Sequence, residues 1–248
     1  MKMRSVTAVV LAMAAFAVTA KEKVVFVSAH PDDSYGFAAT ASLLKDRYEV
    51  HVVDFTYGER GCGEEKFLSG WTKARRIAEE TSACQFLGAK LHWVGEVDGE
   101  AQASPRAVRR IVEILQELKP KAVFAHWPLD VHPDHVQSSA AVQKAMKSMP
   151  PETELYFFEE YFRQTMNWHP AYSVDISPLI DFKVKFLRHY ACQNEEDYLV
   201  RYELEESAVR GRERVPACKH AETFATYDGK PYKGGVLESL GETAAVGR

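Results

Sequence analysis

The sequence lacks most of the features that assign a protein quickly, and each absence removes a class. Four cysteines among 248 residues are too few for a fold stapled by disulfides. No two of Cys62, Cys84, Cys192 and Cys218 form a C-x-x-C pair, which argues against a cysteine metal site. With 14 glycines and 11 prolines, the chain has neither a collagen-like repeat nor the composition of a disordered protein. It also lacks a basic excess, and a net charge of −4 offers no electrostatic case for nucleic acid or an anionic membrane as partner. No G-x-G-x-x-G or Walker A loop follows any strand-like run, so a dinucleotide is not the expected ligand. No repeat or low-complexity linker divides the chain after Lys21, and a single domain over 21–248 is expected.

Long hydrophobic runs are missing too. The apolar stretch at residues 8–18 is about half of the roughly 20 residues that span a bilayer. Lys2 and Arg4 precede it and Val18-Thr19-Ala20 closes it, the order of a cleaved secretory leader over residues 1–20. An exported, periplasmic or extracellular protein is therefore expected, with no stable membrane insertion once the leader is removed. Cleavage after Ala20 removes two basic residues and no acid, taking the net charge from −4 to −6. Export makes disulfides possible, and four cysteines allow three complete pairings. Cys84 lies on an apolar helix face and reads as a buried free thiol. Cys192 with Cys218 is one candidate pair, which sequence does not decide.

What is present is an alternation of short apolar runs with amphipathic stretches. Residues 24–29, 49–55, 90–94, 122–126 and 154–158 read as strands rich in β-branched and aromatic residues. Residues 36–47, 71–87, a stretch opened by Ser104-Pro105 and ended by Pro120, and 135–147 read as the helices between them. The expected fold is α/β and Rossmann-like: a mostly parallel sheet with helices on both faces, in one domain. Residues 172–176 read as a further strand, Ser177-Pro178 as the start of a helix running to about Tyr190, and 195–210 as a charge-rich helix with a solvated face. These last pieces are expected to wrap around the sheet.

Open parallel sheets place ligands at the carboxyl ends of their strands. Two ionisable clusters stand there: His30-Pro31-Asp32-Asp33 after the first strand, and Asp130-Val131-His132-Pro133-Asp134-His135 after the fourth. A divalent metal explains both. Histidine nitrogens with a carboxylate suit zinc, and a catalytic zinc keeps three protein ligands and one open position. Two ligands from one cluster and one from the other fit that count, which leaves further carboxylate and imidazole groups for proton transfer. That surplus favours catalysis over a metal-dependent binding module.

The motifs Ala29-His30-Pro31-Asp32-Asp33 and His132-Pro133-Asp134-His135 resemble those of the PIG-L/LmbE family of zinc-dependent N-acetylglucosaminyl deacetylases. Gly58-Glu59-Arg60-Gly61 resembles the family's GExG loop, and Arg76, Glu79 and Leu87-Gly88 its R-x-x-E…LG helix. Asp98-Gly99 resembles its DG turn. Residues 174–177 with Asp181, Lys183, His189 and Gln193, and Ala221-Glu222-Thr223-Phe224, are similar to later family segments.

The resemblance implies one zinc per chain, or another divalent metal, held by His30, Asp33 and His135. It implies Asp32 as the base taking a proton from the attacking water. His132 becomes the group that stabilises the oxyanion and protonates the leaving amine, with Asp134 orienting it. Arg76 and Asp98 become contacts to sugar hydroxyls; for Arg76 a helix salt bridge to Glu79 is the competing reading. The implied partner is a small-molecule or oligosaccharide substrate. The alternatives are a catalytically impaired, metal-containing glycan-binding protein and an amidase of a sugar–thiol conjugate.

There are departures from the pattern. The family usually carries a glutamate at or just after position 34, followed by a glycine-rich stretch. Here the run is Ser34-Tyr35-Gly36-Phe37-Ala38-Ala39-Thr40, shorter by one residue and without the acid. That bears on how the site is oriented and on substrate choice rather than on zinc binding. Among other conspicuous residues, His126 reads as a neighbour of the site, His51 as structural, and Trp93, Trp127 and Trp168 as packing.

Overall fold

A computed structural model describes residues 20–62, 70–160, 164–214 and 216–246. The expected leader, Ala20 apart, lies outside the described residues. Among them, no helix is long and apolar enough to cross a membrane. The strands are β1 (Lys23–Ser28), β2 (Glu49–Thr56), β3 (Lys90–Glu96), β4 (Ala122–His126), β5 (Glu154–Phe158), β6 (Tyr172–Asp175), β7 (Ala221–Thr226) and β8 (Ala244–Val246). The helices are α1 (Ala38–Leu44), α2 (Trp71–Leu87), α3 (Pro105–Leu118), α4 (Pro133–Met146), α5 (Ile180–Leu187) and α6 (Tyr198–Glu213).

The strands form one sheet in the order β3-β2-β1-β4-β5-β7-β6-β8. β1 to β5 pair in parallel, while β7 runs antiparallel to β5 and β6, and β8 antiparallel to β6. Strand alternation divides the core between the two faces. Val24 and Phe26 of β1 join Phe37, Phe124, Tyr156 and Phe158 on one side, with α1, α2 and α5 packed over them. Their rings stack in a row, Phe37–Phe26 at 4.4 Å, Phe26–Phe124 at 4.2 Å and Phe124–Tyr156 at 4.7 Å. Val25 and Val27 meet Ile111, Leu115 and Val142 of α3 and α4 on the other side. The sheet is thus mostly parallel and covered on both faces.

Several boundaries depart from the sequence reading. The helix expected over 36–47 is only Ala38–Leu44, because residues Asp33–Gly36 form a separate 3₁₀ turn. Helix α4 opens at Pro133 rather than His135: proline suits the first helical position, and His132 is its N-cap. The C-terminal third does not merely wrap around the sheet but extends it by three antiparallel strands. Nor is α6 simply a solvated helix, since Glu203, Ser207, Arg210 and Gly211 are buried. Lys183 of α5 donates to Glu203 and, at 2.7 Å, to Glu222 of β7, and Arg210 pairs with Glu159 at 2.9 Å. Gly211 lets α6 approach the chain before β7, where a Cβ would meet Cys218 O and His220 N at 2.8 Å. The disulfide joins Cys62 to Cys192, with Cα atoms 5.8 Å apart, and not Cys192 to Cys218. Cys218 is a free thiol pointing to His220 O at 3.2 Å, and Cys84 is free and buried as expected.

Candidate active site

β1 lies between β2 and β4, so the chain leaves the carboxyl ends of β1 and β4 in opposite directions across the sheet. This is the switch point where open α/β sheets form their crevice. Both ionisable clusters open into it. After β1, the Asp33 carboxylate accepts from Ala29 N at 3.0 Å and His30 N at 2.8 Å, closing the turn on itself. Asp32 takes φ 95°, a left-handed conformation that costs a non-glycine residue of order 1–3 kcal/mol. After β4, Asp130 accepts from His132 N at 2.7 Å, and the His132 ring accepts from Asp134 N at 3.2 Å as the cap of α4.

The loops after β2 and β3 complete the walls. Arg60 N donates to Asp98 Oδ2 at 2.8 Å, and Asp98 N donates to Glu59 at 3.3 Å. Gly58, at φ +65°, allows close packing: a Cβ there would lie 2.6 Å from Arg76 Nε and 3.1 Å from Pro31 Cδ. His30, Asp32, Asp33, Arg76, Asp98, His132 and His135 then line one cavity of about 410 Å³. A second cavity of about 530 Å³ adjoins it and shares Gly61 and Gln193 as lining residues.

The donor set fits a divalent metal. Asp33 Oδ2 lies 3.3 Å from His30 Nδ1 and 3.6 Å from His135 Nε2. A tetrahedral zinc bound at about 2.0–2.2 Å requires ligand atoms about 3.3 Å apart. The outer nitrogens of the two imidazoles face carboxylates: His30 Nε2 has Asp134 at 3.1 Å and Asp98 at 3.4 Å, and His135 Nδ1 has Asp130 at 3.3 Å. Carboxylates behind ligating histidines are what hold such rings in place. Among the described residues, the groups close enough to share an ion are His30 with His132 and His135, Asp33 with His126 and His135, and His30 with Asp98 and Asp134.

The electrostatics agree with a site built for positive charge. Burial lowers the His30 imidazole, yet Asp33, assisted by Asp134 and Asp98, holds it well above its ordinary value. His135 is raised as well, with Asp33 and Asp130 outweighing burial. Burial raises Asp33, but His135 and His30 overcome it and keep its carboxyl well below the carboxylate range. Burial raises Asp32 against the pull of Arg76. His132, by contrast, is lowered by burial and by the neighbouring imidazoles His135 and His30, so its resting form is the neutral ring.

Seven of the eight expected site residues thus line one cavity, and the eighth corrects its expected role. The Asp134 carboxylate is not on the His132 ring. It accepts from Gly99 N at 2.6 Å and Ala101 N at 3.3 Å and faces His30. His132 caps α4 with its own ring, which points the first-turn carboxylate away from it. Arg76 does not pair with Glu79, which bonds Arg75 at 2.6 Å. Instead Arg76, 2% exposed, donates to Asp32 Oδ1 at 2.6 Å and to Pro31 O. Its Nε and Nη1 have no partner among the described residues.

His126 is the neighbour expected: buried, its Nε2 lies 2.9 Å from Ala29 N and 3.1 Å from Asp33 Oδ2, and burial drives it down to about 4. Asp130 stands inside the second cluster, but its place behind His135 required the loop geometry. Glu80 and Glu160, buried beside the site, carry no sequence signal, because each is the second of two glutamates, one within a regular helix and one just past a strand end, with no motif around it.

Comparison with known proteins matches residues 25–146 to the PIG-L family, described as GlcNAc-PI de-N-acetylase. A Bacillus cereus protein named "Probable N-acetyl-alpha-D-glucosaminyl L-malate deacetylase 2" is 29% identical over 184 residues, covering 69% of this chain and 84% of that one. The N,N'-diacetylchitobiose deacetylase of Pyrococcus horikoshii superposes with a TM-score of 0.73 at 22% identity, covering 86% of this chain and 88% of that one. GalB, the 4-carboxy-2-hydroxymuconate hydratase of Pseudomonas putida, superposes at 0.71 with 22% identity, covering 86% and 98%. The two structural likenesses speak for the fold, which carries a hydratase as well as deacetylases. The family match adds the two His-Pro-Asp motifs that it spans, and on that ground the chain belongs to the PIG-L family of de-N-acetylases.

Proposed function

We propose that this protein is an exported, zinc-dependent hydrolase that removes the N-acetyl group from an N-acetylglucosamine-type sugar or conjugate. One observation carries the reading: Asp33 Oδ2 stands at metal-ligand spacing from both His30 Nδ1 and His135 Nε2, with Asp32 and His132 lining the same cavity. His30, Asp33 and His135 would hold the metal, which when bound polarises water and the amide carbonyl. Asp32 takes the proton of the attacking water. Its contact with Arg76 opposes burial and favours the anionic form that a base needs. His132 accepts from Asp134 N at its Nδ1, so the neutral ring carries its proton on Nε2. From there it donates a hydrogen bond to the developing oxyanion, and the proton that Asp32 took from the water goes on to the leaving amine. Arg76 and Asp98 line the same cavity, a donor and an acceptor that suit sugar hydroxyls.

The adjoining cavity favours a substrate larger than one sugar. It is lined by Trp71 and Tyr198, 47% and 52% exposed, with Arg75 and Glu195, the mixture of aromatic faces and polar groups that suits a saccharide. The relatives named for N-acetylglucosaminyl malate and for diacetylchitobiose support the sugar class. Export rests on the leader-like residues 1–20, and the Cys62–Cys192 disulfide supports it, since such bonds persist in oxidising compartments. The test is acetate release from N-acetylglucosamine and its short β-linked oligomers by the zinc-loaded protein, alongside metal analysis before and after chelation. Release that is lost on chelation and restored by zinc is expected. A protein that binds no divalent metal, or that binds it and releases no acetate from any acetylated glycan, overturns the reading.

A further inference from the structure

The left-handed backbone of Asp32 must be held against its own preference, and part of what holds it bears no motif. Helix α2 packs against the Asp32 turn and presents two residues one turn apart, Arg76 and Glu80. Arg76 grips the Asp32 carboxylate and the Pro31 carbonyl. Glu80, fully buried, accepts from Asp32 N through Oε2 at 3.4 Å and from Cys84 Sγ through Oε1 at 3.2 Å. The buried Tyr190 hydroxyl bonds the Glu80 carboxyl and lies 2.6 Å from Ser34 Oγ. One carboxyl is therefore tied to both ends of the Asp32-Asp33-Ser34 turn, directly at Asp32 and through Tyr190 at Ser34.

We propose that Glu80 is a positioning residue for the base, supplying from α2 the buried acid that this sequence lacks at position 34 and fixing Asp32 in its left-handed conformation. The inference rests on Asp32 acting as base in the proposed deacetylation. The setting of Glu80 argues against a purely structural part. Burial pushes its carboxyl up to about 7, and the neighbouring Asp54 is another buried acid held well above the carboxylate range by burial and by Glu80. An apolar side chain at this helix position would avoid that penalty, so the acid is maintained against stability.

The test compares Glu80→Gln with Glu80→Leu on an acetylated glycan from which the wild type releases acetate, measuring kcat, KM and bound zinc. The glutamine amide can still accept from Asp32 N, and Glu80→Gln should keep kcat within about threefold. Glu80→Leu should lose about tenfold or more in kcat, with KM and zinc content near those of the wild type. A folded, zinc-replete Glu80→Leu with wild-type kcat overturns the proposal, as does an equal loss in both variants. Should Glu80→Leu fail to fold, Tyr190→Phe removes the hydroxyl that links Glu80 to Ser34 and leaves the bond from Asp32 N to Glu80, and a kcat lowered about threefold at unchanged KM supports the proposal while an unchanged kcat overturns it. A wild type that releases no acetate defeats the deacetylase reading itself, an outcome distinct from any difference among these variants.

Discussion

At the scale of single residues, the site separates groups that hold charge from groups that move protons. Asp32 and Asp33 are adjacent in sequence but face different partners: Asp33 has His30, His126 and His135, whereas Asp32 has Arg76. Substitution of Asp32 should therefore fail differently from substitution of a proposed ligand. Asp32→Asn should retain bound metal near the wild-type level while turnover falls by about 10² or more. His135→Ala should lose the metal itself, because three protein ligands become two. Metal content and acetate release measured on the same samples check both, and Asp32→Asn with wild-type turnover would remove Asp32 from the chemistry. Glu80 adds a stability prediction with a definite sign. Its carboxyl is raised from 4.5 to about 7 in the fold, so the folded state keeps a proton that the unfolded chain has released. Below about pH 4.5 both states hold that proton and it has no effect. As pH rises toward 7 the fold loses stability, reaching a cost of about 3 kcal/mol above it. Glu80→Gln cannot ionise, so its stability relative to the wild type should grow by about that amount between pH 5 and 8 in urea titrations. A pH-independent difference would mean that the buried acid is not held protonated.

At the scale of elements, α1 opens without a side-chain cap of its own at Phe37, and β7 supplies the missing acceptor: Glu222 takes hydrogen bonds from Ala39 N at 3.1 Å and Thr40 N at 2.7 Å. Lys183 balances Glu222 and Glu203 in the same buried cluster. Lys183→Met would leave two buried carboxylates facing each other with Arg210 only 3.9 Å from one of them. A loss of about 3–5 kcal/mol is expected, readable as a drop in the urea midpoint. A variant as stable as the wild type would show that the cluster contributes no net stabilisation. This cluster also explains what the sequence disclosed and what it concealed. β1, β2, β4 and β5 are legible because a strand buried on both faces reads as an apolar run, β3 at the sheet edge is legible from the helix stop at Gly88 before it, and the two clusters are legible because they follow two of the buried runs. β7 carries Glu222 and Thr223 in its interior, and only partners from α1 and α5 make that burial tolerable, so no local pattern marks it as a strand. The same holds for Asp134: its spacing beside His132 suggested one partner, and the loop at Gly99 and Ala101 gave it another.

At the scale of the whole molecule, the cavity walls come from segments far apart in the chain, and the Cys62–Cys192 bond ties two of them across 130 residues. Gln193 donates to Gly61 O beside it, so the bond stands where the catalytic cavity meets the adjoining one. No spacing rule selects this pairing from sequence, because it depends on the loop after β2 meeting the segment before α6. In the chain-entropy picture, closing a loop of this length removes about 5 kcal/mol of freedom from the unfolded state, and native disulfides typically deliver 2–5 kcal/mol. The Cys62→Ser, Cys192→Ser double variant should lose stability in that range, and a reductant should weaken the wild type but leave the double variant unchanged. The same bond connects stability to export. If residues 1–20 direct the chain to an oxidising compartment, the recovered protein should begin at Lys21 and, when denatured without reductant, titrate only the thiols of Cys84 and Cys218. Material retained in a reducing cytoplasm should instead titrate four thiols and unfold earlier. Four thiols in protein that has lost its leader would break the link between export and the bond, leaving the junction of the two cavities to be held by the Gln193–Gly61 contact and the packing around it.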